Sequence, residues 1–233
     1  KTVQVPGLGK LAYYPNRDSL KYAELYSLQE ADTFLRATLR FPDFCEGWGA
    51  LIKLGLTDEA TMIDGANLSY SKWVTQNIKT DKKKSTEENV AAYLGVRENS
   101  KIMRQLKFLG LLNGGAIINK EAKSNAAVLQ SLLEEKLSMQ PNDKDLIVML
   151  HEIEFERRNL ITHLQSYMIV EGEDNLRTAM AKTVGLPLGI LTKLLLTGKI
   201  KLTGLHIPVI PEIYNPVLKE LDENNVRFEE SFS

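Results

Sequence analysis

The spacing of apolar positions changes repeatedly along the chain, and each change marks a candidate element. In Val3–Tyr14 a Pro6-Gly7 turn precedes the run Leu11-Ala12-Tyr13-Tyr14, which predicts a loop feeding a short strand that stops at Pro15. Residues 34–41 alternate loosely, with Phe34, Ala37 and Leu39 set against Arg36 and Arg40, and predict a second strand ended by Pro42. Asp43 is then placed to cap a helix through Trp48, Leu51, Ile52 and Leu54, closed by Gly55.

A basic polar stretch, Thr80–Lys84, breaks the apolar pattern and predicts a solvated loop. Three helices are expected after it. The first opens with Ser85 and Glu88 at capping-box spacing and stops at Gly95. The second carries Ile102, Leu106 and Leu109 before Gly110. In the third, Ala126, Leu129, Leu133 and Leu137 recur at helical spacing. Past Pro141-Asn142-Asp143 two long strands are predicted, 145–157 and 160–170, joined by Arg158-Asn159. Ile147, Met149, Ile153 and Phe155 are expected on a buried face, opposite Glu152, Glu154 and Glu156. Helical stretches follow at 176–184, 188–196 and 212–221, and Val226, Phe228 and Phe232 alternate as a last strand.

Strands that cluster in pairs, without regular alternation with helices, give an α+β fold. The expected architecture is a mixed, largely antiparallel sheet with helices on one face and a small helical insert. Residues 1–79 and 141–233 form the α+β domain and residues 80–140 the insert.

Composition narrows the function class. The 233 residues are 43% hydrophobic and 25% charged, the balance of an ordinary globular domain. Net charge is −1 and the pI is about 6.4, so nothing draws the whole chain to nucleic acid or to an anionic membrane. The most apolar window, Leu186–Leu196, is interrupted by Pro187, Gly189, Thr192 and Lys193, and no run approaches the ~20 residues of a membrane span. A single cysteine, Cys45, cannot form an internal disulfide and favours a reducing compartment, with the cytoplasm expected. The chain opens Lys1-Thr2-Val3-Gln4, without Met or a signal-peptide pattern, and is expected to be a piece of a longer protein.

Several chemistries lack their residues. Gly7-Leu8-Gly9 lacks the third glycine and the receiving helix of a dinucleotide fingerprint. Gly9-Lys10 and Gly198-Lys199 do not complete a P-loop, and no G-x-S-x-G elbow is present. His151 and His163 sit on facing predicted strands, but with His206 they lack the convergent spacing of a zinc site and are expected to be structural. Glu152, Glu154 and Glu156 are expected to form a solvated edge, and Cys45 to be a packed small residue.

One polar cluster has the makings of a site: Tyr14-Pro15-Asn16-Arg17-Asp18-Ser19. An arginine at a strand end suits fork-like recognition of a carboxylate. An Asx-type turn with a solvent-facing arginine accounts for the same residues. Thr38 and Arg40 of the neighbouring predicted strand share a parity and face one side.

Five segments, in order, resemble the saccharopine dehydrogenase family. They are Pro15-Asn16-Arg17-Asp18-Ser19; Arg36-Ala37-Thr38-Leu39-Arg40-Phe41-Pro42 with Phe44-Cys45-Glu46; Thr178-Ala179-Met180-Ala181-Lys182; Gly185-Leu186-Pro187; and Glu212-Ile213-Tyr214-Asn215-Pro216. Residues 60–140 contribute least to the match. The resemblance implies the substrate-binding and dimerisation part of an L-glutamate-forming enzyme of lysine metabolism, with a glyceraldehyde-3-phosphate-dehydrogenase-like C-terminal domain. In that family NAD or NADP takes hydride from the carbon bearing saccharopine's secondary amine, and water splits the imine into glutamate and aminoadipate semialdehyde.

The resemblance places the nicotinamide cofactor on a Rossmann domain that this chain lacks, assigns no catalytic residue here, and implies a homodimer. By itself the chain is expected to be inactive. The implied ligand is saccharopine or a similar carboxylated secondary amine, contacted by Arg17, Asn16 and Thr38, with Arg40 and Tyr14 as further candidates. A mitochondrial location is the alternative to the cytoplasm. Two other functions fit the same residues: a domain of a polyamine-forming carboxyamine dehydrogenase, or a non-catalytic ligand-binding or dimerisation module.

Overall fold

The computed structural model describes residues 1–63, 67–118 and 121–233. The elements run β1 (Thr2–Val5), β2 (Gly9–Pro15), α1 (Lys21–Leu25), β3 (Ala37–Arg40), α2 (Pro42–Lys53), α3 (Tyr70–Gln76) and α4 (Thr86–Leu94). They continue α5 (Lys101–Phe108), α6 (Asn125–Lys136), β4 (Leu146–Arg157), β5 (Leu160–Glu171), α7 (Ala179–Leu196), α8 (Pro211–Glu223) and β6 (Glu229–Phe232). The α+β class holds, with two three-stranded sheets in place of the single sheet expected, ordered β1-β2-β3 and β4-β5-β6. Two compact units result: Lys1–Leu39 with Met139–Ser233, and Arg40–Ser138. Residues 64–66 and 119–120 lie outside the described residues, the first group within the expected 1–79 span and the second within the expected insert.

The helical unit begins at Arg40, whereas the sequence spacing placed an insert only over residues 80–140. Leu51, Leu54, Leu56 and Trp73 share one core with Val90, Leu106 and Leu129, so α2 and α3 pack with the three later helices. Proline sets the start of α2. Pro42 occupies its first turn, where a missing N–H costs nothing, and extended Phe41 is the N-cap. Asp43, expected as the cap, falls inside the first turn and pairs instead with Lys101 (Nζ–Oδ1 2.7 Å). The capping box of α4 forms as its spacing predicts. The Glu88 N–H reaches Ser85 Oγ at 3.1 Å and the Ser85 N–H reaches the Glu88 carboxylate at 2.6 Å. The second of these bonds holds the Glu88 carboxyl below its usual pKa.

Buried Asn89 ties down the basic loop, accepting from the Asp81 N–H (2.6 Å) and donating to the carbonyls of Asp81, Lys84 and Ser85. In α6 the buried positions are Asn125, Val128, Leu129 and Leu132, while Leu137 is exposed. That face is rotated from the expected Ala126–Leu129–Leu133–Leu137 series. Apolar residues cover both stripes, and the choice between them falls to Asn125, whose Oδ1 accepts from Trp73 Nε1 at 2.7 Å.

In the other unit, β1 and β2 form an antiparallel hairpin in which Val5 faces Gly9, turned through Gly7 at φ +72°. The long hairpin also forms where predicted. Arg157 faces Leu160 across Arg158 and Asn159, both left-handed at φ +54° and +61°, as a tight twisted turn requires. Only its base is covered. Met168 and Val170 pack against Ala179, Ile190 and Leu194 of α7 and Ile213, Val217 and Leu221 of α8. Towards the tip the expected burial fails at Ile153 (48% exposed) and Phe155 (38%), which lie beyond the core residues of α7 and α8, and Met149, nearer the base, is exposed as well.

The two helical stretches expected at 176–184 and 188–196 are one helix, α7, running through Pro187. Proline removes one backbone donor and does not end the helix here. With 18 residues, α7 is long and apolar enough, by length and composition, to count as a candidate membrane span, which the interrupted window Leu186–Leu196 did not suggest. In this fold its Ala179, Ile190 and Leu194 face lies in the core just described, and Lys193 pairs with Glu220 of α8. Val226 is buried and Phe228 packs on the core, so only residues 229–232 of the expected last strand pair with β5.

Candidate functional site

The turn after β2 carries the residues singled out above, and short-range bonds shape it. Ser19 Oγ donates to the Asn16 carbonyl at 3.0 Å, and the Leu20 N–H donates to Asp18 Oδ1 at 3.2 Å. The second bond is the Asx-type turn that the sequence allowed, and it engages Asp18 within the turn. Arg17 stands exposed beside it and, among the described residues, has no hydrogen bond or ion pair.

A backbone bond joins the turn to the next strand: the Asn16 N–H donates to the Arg36 carbonyl at 3.0 Å. Thr38, partly buried, follows two residues into β3, and exposed Arg40 ends the strand. The guanidinium of Arg40 lies 5.8 Å from the Phe44 ring centroid, and that ring stacks on Trp48 at 5.8 Å and 12°. Tyr14, near the end of β2, is 44% exposed. Asn16, Arg17 and Thr38 are therefore brought to one sheet end, with Tyr14 just before the turn on β2.

Sequence reasoning overlooked a pair at the same end. The Arg36 guanidinium carbon sits over the Tyr22 ring, 3.9 Å from its centroid, within cation–π range. Tyr22 follows the Asn16–Ser19 turn and donates its N–H to the Ser19 carbonyl at 3.1 Å. Parity was the available signal, since Arg36 lies two residues before Thr38 and four before Arg40.

The remaining candidates separate. His151 is paired with Ser166 and His163 with Glu154, so the two rings point to opposite faces of the hairpin. His151 packs against Phe228 (ring centroids 5.4 Å), and burial on that side lowers its pKa. His163 Nδ1 is 3.3 Å from Glu154, and His206 Nε2 is 2.8 Å from the Thr203 carbonyl. No cluster of three or more His, Cys, Asp or Glu side chains suited to a metal exists among the described residues. Glu152, Glu154 and Glu156 are exposed on one face, and Cys45 is partly buried in α2. The residues present do not fit a dinucleotide: Gly7 and Gly9 belong to a β-turn that leads into a strand, with no helix start to receive a pyrophosphate.

Comparison with known proteins adds an independent line. The family model for the saccharopine dehydrogenase C-terminal domain matches residues 1–226. A mitochondrial alpha-aminoadipic semialdehyde synthase of Bos taurus is 35% identical over 233 residues, covering 96% of this chain and 24% of that protein. The saccharopine dehydrogenase (NADP(+), L-glutamate-forming) of Saccharomyces cerevisiae is 32% identical over 220 residues, covering 90% of this chain and 48% of that protein. The solved structure of apo histidine-tagged saccharopine dehydrogenase (L-Glu forming) from the same yeast matches with TM-score 0.87 and 28% identity, over the whole of this chain and 54% of that one. The chain thus spans between about a quarter and a half of the length of these relatives.

Proposed function

The chain belongs to the saccharopine dehydrogenase C-terminal domain family, and from that premise we propose that it is the substrate-binding part of a longer, NADP-dependent, L-glutamate-forming saccharopine dehydrogenase. The observation that carries this reading is the match over residues 1–226, which includes the Arg17 turn and the strand beside it. Saccharopine carries three carboxylates on a flexible amine, so its recognition calls for arginine forks at a sheet end. Arg17, exposed and without a partner among the described residues, takes one carboxylate, Asn16 and Thr38 add hydrogen bonds, and Arg40 and Tyr14 complete the contact.

The residues present supply binding and orientation only. Hydride chemistry belongs to the nicotinamide cofactor when it is bound by the remainder of the longer protein, and this chain on its own is inactive. The mammalian relatives are named as mitochondrial, and we place the longer protein in the mitochondrial matrix or the cytosol. The exposed apolar tip of the β4–β5 hairpin, with Ile153, Phe155 and Leu160, is where a second copy docks. The 18-residue α7 is read as a packed helix of a water-soluble protein, since one of its faces lies in the core.

Calorimetric titration of saccharopine tests the binding site directly. Arg17→Ala is expected to weaken binding by roughly 2–4 kcal/mol, about 30- to 900-fold, the cost of a charge-assisted bidentate contact. Arg17→Lys should recover only part of it, because the planar fork is lost. Unchanged saccharopine affinity in Arg17→Ala would remove Arg17 from the site. A wild-type protein that binds no saccharopine, either as this chain or within the longer protein, would sink the reading as a whole.

A further inference from the structure

Arg36 has features that the reading above leaves unused. It immediately precedes β3 and shares its parity with Thr38 and Arg40. Its carbonyl is held by the Asn16 N–H, one residue from Arg17. Its side chain is partly buried, and its guanidinium carbon lies over the Tyr22 ring, 3.9 Å from the centroid. Among the described residues no oxygen accepts a hydrogen bond from its guanidinium and no carboxylate pairs with it.

An aromatic ring offers the guanidinium charge a partner but no hydrogen-bond acceptor in the usual sense, so its five N–H donors still call for oxygens. A partly buried cation with unmet donors is costly unless an anion supplies acceptors. Tyr22 also removes much of the side chain's freedom beforehand, so an incoming carboxylate pays less ordering entropy than at a free arginine. Tyr22 is itself anchored through its N–H to the Ser19 carbonyl, and its ring packs 5.8 Å from that of Tyr26.

We propose that Arg36 is a further carboxylate-binding arginine of this site, beside Arg17 and held ready by Tyr22, and that it sets the preference for a tricarboxylated amine over a dicarboxylated one. The proposal rests on the substrate class given above. Its recognition logic is a separate fork for a separate carboxylate, with Arg17 serving another.

The test compares saccharopine with its three monoamides, each having one carboxylate replaced by a carboxamide, titrated into the wild-type chain and into the full-length protein. Arg36→Gln is expected to weaken saccharopine about tenfold or more. It should leave one monoamide, the one already lacking the carboxylate that Arg36 binds, at its wild-type affinity. Tyr22→Phe keeps the stacking face and should bind saccharopine almost as the wild type does, whereas Tyr22→Ala should not. Circular dichroism identifies any variant that has lost its fold, and Arg36→Lys, which keeps the charge, then replaces Arg36→Gln.

A uniform loss for saccharopine and all three monoamides would make Arg36 a clasp for the turn and overturn the proposal. An unchanged saccharopine affinity in Arg36→Gln overturns it equally. In both cases the wild type still binds saccharopine, and the reading of the substrate class stands. Absence of any wild-type binding would overturn the two together.

Discussion

The helical and sheet-bearing units meet the same physical demand to different degrees. In the helical unit, side chains of α2 to α6 share one closed core around Trp73, which is 0% exposed, although Ile52 and Phe108 stay in solvent. In the other unit, α7 and α8 cover the base of the long hairpin and leave its tip bare, while Leu188 (68% exposed), Leu195 and Leu196 of α7 also face solvent. Single exposed apolar residues are ordinary, whereas runs of them along a strand pair are the kind of surface a partner covers, and the hairpin tip is the run proposed to take a second copy. The helical unit, with its larger closed core, is the scaffold of the two.

The largest expected effect tests the scaffold half of that contrast. Trp73→Ala should cost about 3–5 kcal/mol, through the cavity it leaves and the loss of its bond to Asn125, whose side chain also donates to the Gly55 carbonyl at 3.2 Å. Urea unfolding followed by circular dichroism would measure it, and a loss under 1 kcal/mol would mean that the helical core is not closed around this ring. A smaller effect is expected at the base of the hairpin. There the Asp145 carboxylate accepts the N–H groups of Ala179 (2.6 Å) and Met180 (2.8 Å) and caps α7. A Cβ on Gly172 would collide with that carboxylate and come within 2.9 Å of Ala179 N and 3.2 Å of Thr178 Cα. Gly172→Ala should therefore cost about 1–3 kcal/mol by the same measurement.

The smallest effect on folding is expected where the contrast is sharpest. Phe155→Glu places a charge on an exposed strand position and should change unfolding by no more than about 0.5 kcal/mol. Sedimentation analysis should nevertheless show that the variant no longer forms the proposed dimer. A chain that is monomeric before the substitution, or dimeric after it, would mean that the hairpin tip is not the surface a second copy covers.

The sequence gives good sight of elements whose signal is local. Ser85 and Glu88 announce their capping box, Arg158-Asn159 its left-handed turn, and Arg17 its place in an Asx-type turn beside a strand. These depend on residues within a few positions of one another, so spacing alone specifies them. Asp43 shows where local signals compete: it is a good cap, but Pro42, with its fixed φ, starts the helix two residues earlier than a cap at Asp43 would. The candidate site divides in the same way. Asn16, Arg17, Thr38 and Arg40 could be listed from the chain, whereas the stack of Arg36 on Tyr22 joins residues that no periodicity links.

Tertiary packing decided the remainder. Which stripe of α6 turns inward depends on Trp73 reaching Asn125 across 52 positions, and the period of the helix fits either stripe. Whether Ile153 and Phe155 are buried depends on how far α7 extends over the sheet, although their alternation with glutamates is plain in the chain. By itself, then, the sequence determined the class of fold, the tight turns, the α4 capping box and the family to which the chain belongs. Burial and the meeting of distant side chains were left to the tertiary structure, because they are properties of surfaces that only folding brings together.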